Sequence, residues 1–220
     1  TASGTVNNTV VDDTDSTTVT LTASAASVAE GGSLVYTASV GSPVTGSPLV
    51  ITLTGGTTIT IPVGASSANS APVAVRADDV YAQGTQAINT AISGTSGGNF
   101  EGLTTTSTVS VNVTDDSDAT TVTLTSATHG TAVTEGGSIV YTATVGALVT
   151  GSPLVVTLSN GATITIPVGA SSANSAAVPV RADDVYVQGS ATLTAVSISG
   201  ISGGNFEALT TSSTVATTVT

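Results

Sequence analysis

The sequence predicts an all-β chain of two tandem immunoglobulin-like β-sandwich domains, joined end to end by a short Asp-rich linker. Three observations predict this. A module of about 100 residues is written twice in a chain of 220, a length that suits two ordinary domains. Apolar residues alternate with a period of two, the mark of half-buried strands. Thr, Ser, Val, Ala and Gly dominate, only 7% of residues are charged, and no helix signal is present.

The repeat sets the organisation. S-V-A-E-G-G-S-L-V-Y-T-A-S-V (27–40) matches T-A-V-T-E-G-G-S-I-V-Y-T-A-T-V (131–145), and V-T-G-S-P-L-V-I-T-L (44–53) matches 149–158. I-T-I-P-V-G-A-S-S-A-N-S-A (59–71) matches 164–176, and R-A-D-D-V-Y recurs at 76–81 and 181–186. S-G-G-N-F-E (96–101) matches 202–207, and V-D-D-T-D-S-T-T-V-T-L (11–21) matches 114–124. The offset is 103 at the D-D-x-D stretch, 105 through the middle and 106 at S-G-G-N-F-E. Two residues are therefore inserted near His129, and one between Gln188 and Gly200. Such a period is too long for a solenoid unit, so these are tandem autonomous domains: 1–113, then 114–220, with the linker at about 114–118.

Seven strands follow in order in the first copy. Strand A places Val19, Leu21 and Ala23 on one face, and strand B places Leu34, Tyr36, Ala38 and Val40. Strand C carries Leu49, Ile51 and Leu53; Gly55-Gly56 turns it into strand D with Ile59, Ile61 and Val63. The second copy has Asn160-Gly161 at that turn, a strong hairpin signal. Strand E offers Ala71, Val73 and Val75, strand F Ile88, Thr90 and Ile92, and strand G Val109, Val111 and Val113. The extra residue in the second strand F swaps the buried face, which a β-bulge absorbs. Seven short strands suggest the immunoglobulin-like sandwich, without the Cys–Trp–Cys core of antibody domains.

Composition excludes several functions. Fourteen acidic residues face two basic ones, Arg76 and Arg181, for a net charge of −12. No basic patch exists to meet phosphates, so nucleic acid is excluded as a partner and anionic membranes repel the chain. No run approaches 18 apolar residues, so no membrane insertion is expected. There is no Cys, so a secreted form relies on its core or on bound ions. There is no Met, and T-A-S-G-T-V-N-N-T-V lacks a basic segment, so the chain reads as part of a longer protein without a signal peptide of its own.

The acids themselves lie in loops, and every one recurs: Asp12, Asp13, Asp15, Glu30, Asp78, Asp79 and Glu101 match Asp115, Asp116, Asp118, Glu135, Asp183, Asp184 and Glu207. If consecutive strands alternate direction, the A–B loop with Glu30, the E–F loop with Asp78 and Asp79, and the end of strand G share one end of a sandwich. Glu30, Asp78, Asp79, Asp115, Asp116 and Asp118 then form one junction set. The opposite end of the second domain brings Asn205 and Glu207, as Asn99 and Glu101 do in the first. Glu101 and Glu207 either complete a junction or cap a Gly-rich turn.

Two carboxylates about 5 Å apart repel by roughly 3 kcal/mol at an effective dielectric of about 20. One arginine cannot balance six acids, whereas Ca2+ takes about 6–8 oxygen ligands from irregular loops. The absence of Cys and the single His129 argue against zinc or copper. The D-x-D-x-D-G spacing of an EF-hand is missing. The plainer reading of A-D-D is an Asx-type turn with Arg76 as counter-ion. Because the chain stops at Thr220, the second set (Glu135, Asp183, Asp184) is expected to be incomplete.

S-V-A-E-G-G-S-L-V-Y-T-A, S-N-G-A-T-I-T-I-P-V-G-A, A-D-D-V-Y-V and S-G-G-N-F-E-A-L resemble the tandem extender repeats of giant bacterial RTX adhesins, over nearly the whole chain and in both copies. The resemblance implies a stalk of immunoglobulin-like repeats at the cell surface, extracellular and anchored to the outer membrane through other parts of the parent chain. It implies linkers made rigid by calcium, and terminal domains that serve adhesion or biofilm formation. It points to the aspartates of D-D-T-D, D-D-S-D and A-D-D as calcium-linked positions. That family follows A-D-D-V-Y-V with an acidic residue; here Gln83 and Gln188 stand in that neighbourhood. The expected partners are neighbouring repeats and calcium, with no obligate oligomer.

Two rival functions fit the sequence less well. An enzyme needs a nucleophile with a base, or paired carboxylates in a cleft; His129 has no counterpart in the first repeat and sits in an inserted loop. A module binding carbohydrate, protein or ice could use its loops or a Thr-rich face such as Thr18, Thr20 and Thr22. Binding surfaces favour aromatics, and this chain has four Tyr, two Phe and no Trp.

Overall fold

The computed structural model describes residues 4–220 and contains strands and turns without helices among them. The chain divides into two compact units. Of the described residues, unit 1 takes 4–78 with 84–115, and unit 2 takes 79–83 with 116–220.

In unit 1 the strands are β1 (Ser16–Ala23), β2 (Ser27–Ala29), β3 (Ser33–Leu34), β4 (Tyr36–Val40), β5 (Leu49–Leu53), β6 (Thr58–Ile61), β7 (Ser67–Asn69), β8 (Val73–Ala74), β9 (Gln86–Ser96), β10 (Gly102–Thr104) and β11 (Thr108–Thr114). One sheet runs β10-β1-β4-β7 and the other β2-β11-β9-β5-β6, with β3 paired to β8. Most pairings are antiparallel, as in a sandwich.

Alternation builds the core. Val19 and Leu21 from β1, with Tyr36, Ala38 and Val40 from β4, face Leu49, Ile51 and Leu53 of β5, Ile59 and Ile61 of β6, and Val111 of β11. Thr and Ser take the alternate, outward positions of the same strands. Unit 2 repeats this with Val122, Leu124, Tyr141, Ala143, Val145, Leu154, Val156, Leu158, Ile164, Ile166 and Val215.

Several elements differ from the sequence expectation. Val63 and its counterpart Val168 are 53% and 52% exposed, because strand D ends before Pro62 and Pro167, and proline has no N–H for the ladder. Strand E is two pieces. Ser70 turns inward and its Oγ accepts the Tyr36 amide at 3.0 Å, so Ala71 faces solvent and Val73 returns inward three residues on. Ser175 does the same for Tyr141.

Two short parallel pairings were not expected: β1 with β10, and β2 with β11. Strand A thus crosses between sheets, and both sheets gain a covered edge.

The extra residue of the second strand F is absorbed over 193–195, where the ladder breaks between Ala191–Thr192 and Val196–Gly203. A separate register shift, between Thr52 and Leu53 and again between Thr157 and Leu158, is common to both copies. His129 is exposed, as expected of an inserted loop, and its Nδ1 accepts the amide of Ala216 at 3.1 Å. The inserted loop thereby pairs a backbone group in the gap of the broken second strand G, between Thr214–Val215 and Thr218–Val219.

Candidate functional site

At one end of unit 1 the A–B turn, the end of β8 and the end of β11 come together. The Glu30 amide donates to the Thr114 carbonyl at 3.0 Å, and the Gly31 amide donates to the Arg76 carbonyl at 2.7 Å. These bonds fix the two loops and the exit of β11 against each other. Gly31 has φ +70, and a Cβ there would lie 2.8 Å from the Asp78 Cβ. Only glycine lets Asp78 approach this turn so closely.

Three carboxylates result. An oxygen of Glu30 lies within 4.8 Å of one from Asp78, and likewise within 4.8 Å of one from Asp115. Arg76 ties two of them: Nε donates to Glu30 Oε2 at 2.5 Å and Nη2 to Asp115 Oδ1 at 2.5 Å. Its Nη1 donates to the Gly84 carbonyl at 3.1 Å, while the Gly84 amide donates to Asp115 Oδ2 at 3.0 Å. The Glu30 side chain is fully buried, and its second oxygen, Oε1, accepts no hydrogen bond. Three carboxylates against one guanidinium leave two negative charges. A buried carboxylate oxygen without a donor is costly. A hard divalent cation fits both features, since all the donors are carboxylate oxygens.

Unit 2 has the corresponding ion pair at Arg181 and Glu135, 2.9 Å, more exposed at 24% and 22%. A Cβ on Gly136 would lie 2.9 Å from Asp183 Cβ, so the approach of that aspartate is the same. Both second aspartates of A-D-D form Asx turns. Asp79 Oδ1 accepts the Tyr81 amide and Asp184 Oδ1 the Tyr186 amide, each at 2.8 Å. Gln83 and Gln188 donate side-chain N–H groups to the remaining oxygens of those aspartates. A neutral donor at that position suits the turn where an acid would repel it.

The acids at the other ends have a local partner. Glu101 accepts the Asp15 amide at 2.5 Å, and Glu207 accepts the Asp118 amide at 2.5 Å. Each glutamate therefore holds the D-D-x-D stretch at the start of its own repeat. Asp12, Asp13 and Asp116 are exposed.

Unit 2 also contains a feature that sequence reasoning missed. Its segment 79–83 lies antiparallel to the N-F-E stretch, with a bridge between Tyr81 and Phe206. The Glu207 amide donates to the Val80 carbonyl at 3.1 Å and the Ala82 amide to the Asn205 carbonyl at 3.1 Å. Asn205 Nδ2 returns a bond to the Ala82 carbonyl at 3.1 Å. The Tyr81 and Phe206 rings lie 5.6 Å apart, tilted by 31°, and the tyrosine hydroxyl donates to the Leu148 carbonyl at 2.8 Å. The recurrence of D-D-V-Y and G-G-N-F-E in both copies was the available signal.

Among titratable groups, burial raises the Tyr141 hydroxyl above the ordinary tyrosine range, partly opposed by a hydrogen bond with Asn160. In unit 1, Tyr36 pairs instead with Thr90 at 3.0 Å. Val196 occupies that strand position in unit 2, and Tyr141, Asn160 and Val196 line a cavity of about 300 Å3.

Comparison with known proteins places these features in a family. A family model described as the LapA domain matches twice, over residues 15–116 and 118–220. A solved structure described as a tetra-tandem repeat in the extending region of a large adhesion protein is similar at 17% identity and a TM-score of 0.40, over 93% of this chain. The chain spans about half of that structure, 49%. No curated protein matches. With both repeats matched almost end to end, the chain belongs to the LapA domain family.

Proposed function

We propose that the chain is a calcium-stiffened spacer: two stalk repeats of a large secreted adhesin on the bacterial cell surface, holding terminal adhesive domains away from the cell in adhesion or biofilm formation. It is not an enzyme, and the parent chain is anchored to the outer membrane through other parts. The observation that carries the calcium reading is the Glu30 carboxylate, buried, with Oε1 lacking a donor beside Asp78 and Asp115.

Glu30, Asp78 and Asp115 would hold the ion in unit 1. Asp79, Asp116 and Asp118 belong to the wider set of linker and loop acids expected from the sequence, with Asp12, Asp13 and Asp15 as their counterparts before the first repeat. Glu135, Asp183 and Asp184 are the equivalent set in unit 2. Bound calcium supplies the two positive charges that Arg76 cannot. Asp115 opens the linker, so tying it to Glu30 and Asp78 fixes the direction in which the chain leaves β11. Without the ion the acids repel and the linker loosens. Extracellular calcium modules bind at about 10⁻⁴–10⁻³ M, so external calcium fills such sites and cytosolic calcium does not.

The test is small-angle scattering of the chain with calcium and with chelator. The maximum dimension is expected to be longer and better defined with calcium; an unchanged profile overturns the stiffening. In thermal unfolding, calcium at about 100 times its Kd adds about 2.7 kcal/mol. The Asp115→Ala/Asp116→Ala variant is expected to lose most of that gain. No gain in the wild type overturns the calcium assignment itself.

A further inference from the structure

The two repeats differ most in front of the buried tyrosine. In unit 1, β9 runs unbroken over Gln86–Ser96, and its Thr90 hydroxyl pairs with that of Tyr36 at 3.0 Å. The hollow beside Tyr36 is about 210 Å3. In unit 2 the extra residue breaks the equivalent strand over 193–195, and the last strand is broken over 216–217. The same hollow widens there to about 300 Å3, the small end of ligand pockets. Ile139, Leu193, Val196 and Val215 form its apolar wall, and Tyr141 and Asn160 line it as well.

The polar groups of this hollow are few, and most are committed. Arg181 lines one side but holds Glu135 at 2.9 Å and the Gly189 carbonyl at 3.1 Å. Thr217 donates its hydroxyl to the Thr128 carbonyl at 3.3 Å. Asn160 stands where unit 1 has Gly55, and its Oδ1 accepts the Ala162 amide at 3.1 Å. The bond between Asn160 and Tyr141 lowers the tyrosine pKa, so the amide N–H is its donor and the tyrosine oxygen its acceptor. The phenolic proton is left to donate. Val196, unlike Thr90, has no side-chain oxygen to take it.

We propose that the hollow of unit 2 binds a small, neutral ring compound carrying one oxygen acceptor, such as an aryl ketone, an aryl alcohol or a cyclic ketone. The ring lies against Ile139, Leu193, Val196 and Val215, and the oxygen accepts the Tyr141 hydroxyl. Neutrality follows from the committed Arg181 and from the net charge of −12, which disfavours anions. Size follows from the volume: benzene fits a cavity of about 150 Å3, so about 300 Å3 takes a ring with a short polar substituent. The oxygen is needed because a purely apolar guest would bury the phenolic proton without a partner.

The inference stands apart from calcium binding and from the stalk reading, and its test uses the full chain in chelator. Acetophenone, a ring with one carbonyl acceptor, is titrated to about 20 mM and followed by methyl NMR. Saturable shifts are expected at Ile139, Leu193, Val196 and Val215, with a Kd of about 1 mM, as suits so small a ligand. The unit 1 counterparts Leu34 and Ile88 are expected to respond at least about 10-fold more weakly. Tyr141→Phe removes the donor and is expected to weaken binding about 3–10-fold. Val196→Thr keeps the side-chain volume but gives the phenolic proton the acceptor that unit 1 has, and is expected to weaken binding by a similar factor. Benzoate, of the same shape but charged, is expected not to bind. Shifts that stay linear to about 20 mM, or equal affinity in the two units, overturn the proposal. So does wild-type affinity in either variant, or benzoate that binds as tightly as acetophenone.

Discussion

Removing the Arg76 guanidinium tests the electrostatics of the acidic end most sharply. Arg76 is 15% exposed and makes two ion pairs of 2.5 Å, to Glu30, fully buried, and to Asp115, 19% exposed. Arg76→Ala leaves these two carboxylates within 4.8 Å of each other with no counter-charge. Their repulsion at that range is about 3 kcal/mol at an effective dielectric of about 20. Removing one partner of a buried ion pair costs about 3–5 kcal/mol, so unit 1 is expected to lose that much in chelator. For a domain of this size the transition falls by at least about 12 °C. Arg181→Ala in unit 2 is the internal control. That arginine has a single, more exposed carboxylate partner, Glu135, and its loss is expected to cost about 1 kcal/mol or less. Amide NMR during urea unfolding resolves the two units and reads both costs in one chain. A loss below about 1 kcal/mol in unit 1, or equal losses in the two units, refutes the reasoning.

Other expectations follow from single contacts. Gly31→Ala forces an L residue to φ +70, with its Cβ 2.8 Å from that of Asp78. Unit 1 is expected to lose at least about 1–2 kcal/mol in thermal unfolding and to gain less from calcium, because Asp78 is pushed away. Thr90→Val removes the buried partner of the Tyr36 hydroxyl and should cost unit 1 about 1–2 kcal/mol by urea titration. Burial raises the Tyr141 pKa in the folded state. The folded protein then keeps a proton that the unfolded chain releases near pH 10, so unit 2 is expected to lose stability as pH rises through that value. Tyr141→Phe should remove this alkaline loss in pH-dependent melts, while leaving stability at pH 7 within about 1 kcal/mol.

The fold was legible where burial follows a strict alternation. Leu34, Tyr36, Ala38 and Val40, or Leu49, Ile51 and Leu53, announce both a strand and its inward face, and all are buried. Legibility failed where a local bond overrides parity. Ser70 takes an inward place to accept the Tyr36 amide, and Pro62 ends a strand whose alternation runs on to Val63. The parallel strands β2 and β10 have three residues each, too few for any period to show. At the acidic end, repetition, charge balance and strand direction singled out a wider set, Glu30, Asp78, Asp79, Asp115, Asp116 and Asp118; in unit 1 the structure brings Glu30 close to Asp78 and to Asp115, while Asp79 is taken up by its own Asx turn. The double bridge of Arg76 was not legible, because it depends on β8 delivering the guanidinium between two other loops. The aromatic pair of Tyr81 and Phe206 was hidden for a similar reason: tyrosine in a repeated loop reads as a local plug until its partner strand is known.

The central claim, that a divalent cation completes the acidic end of unit 1, is tested most directly by anomalous diffraction from crystals grown with calcium. The account predicts a peak about 2.3–2.6 Å from carboxylate oxygens of Glu30, Asp78 and Asp115. Well-ordered density for those side chains with no anomalous peak among them, at millimolar calcium, would contradict it.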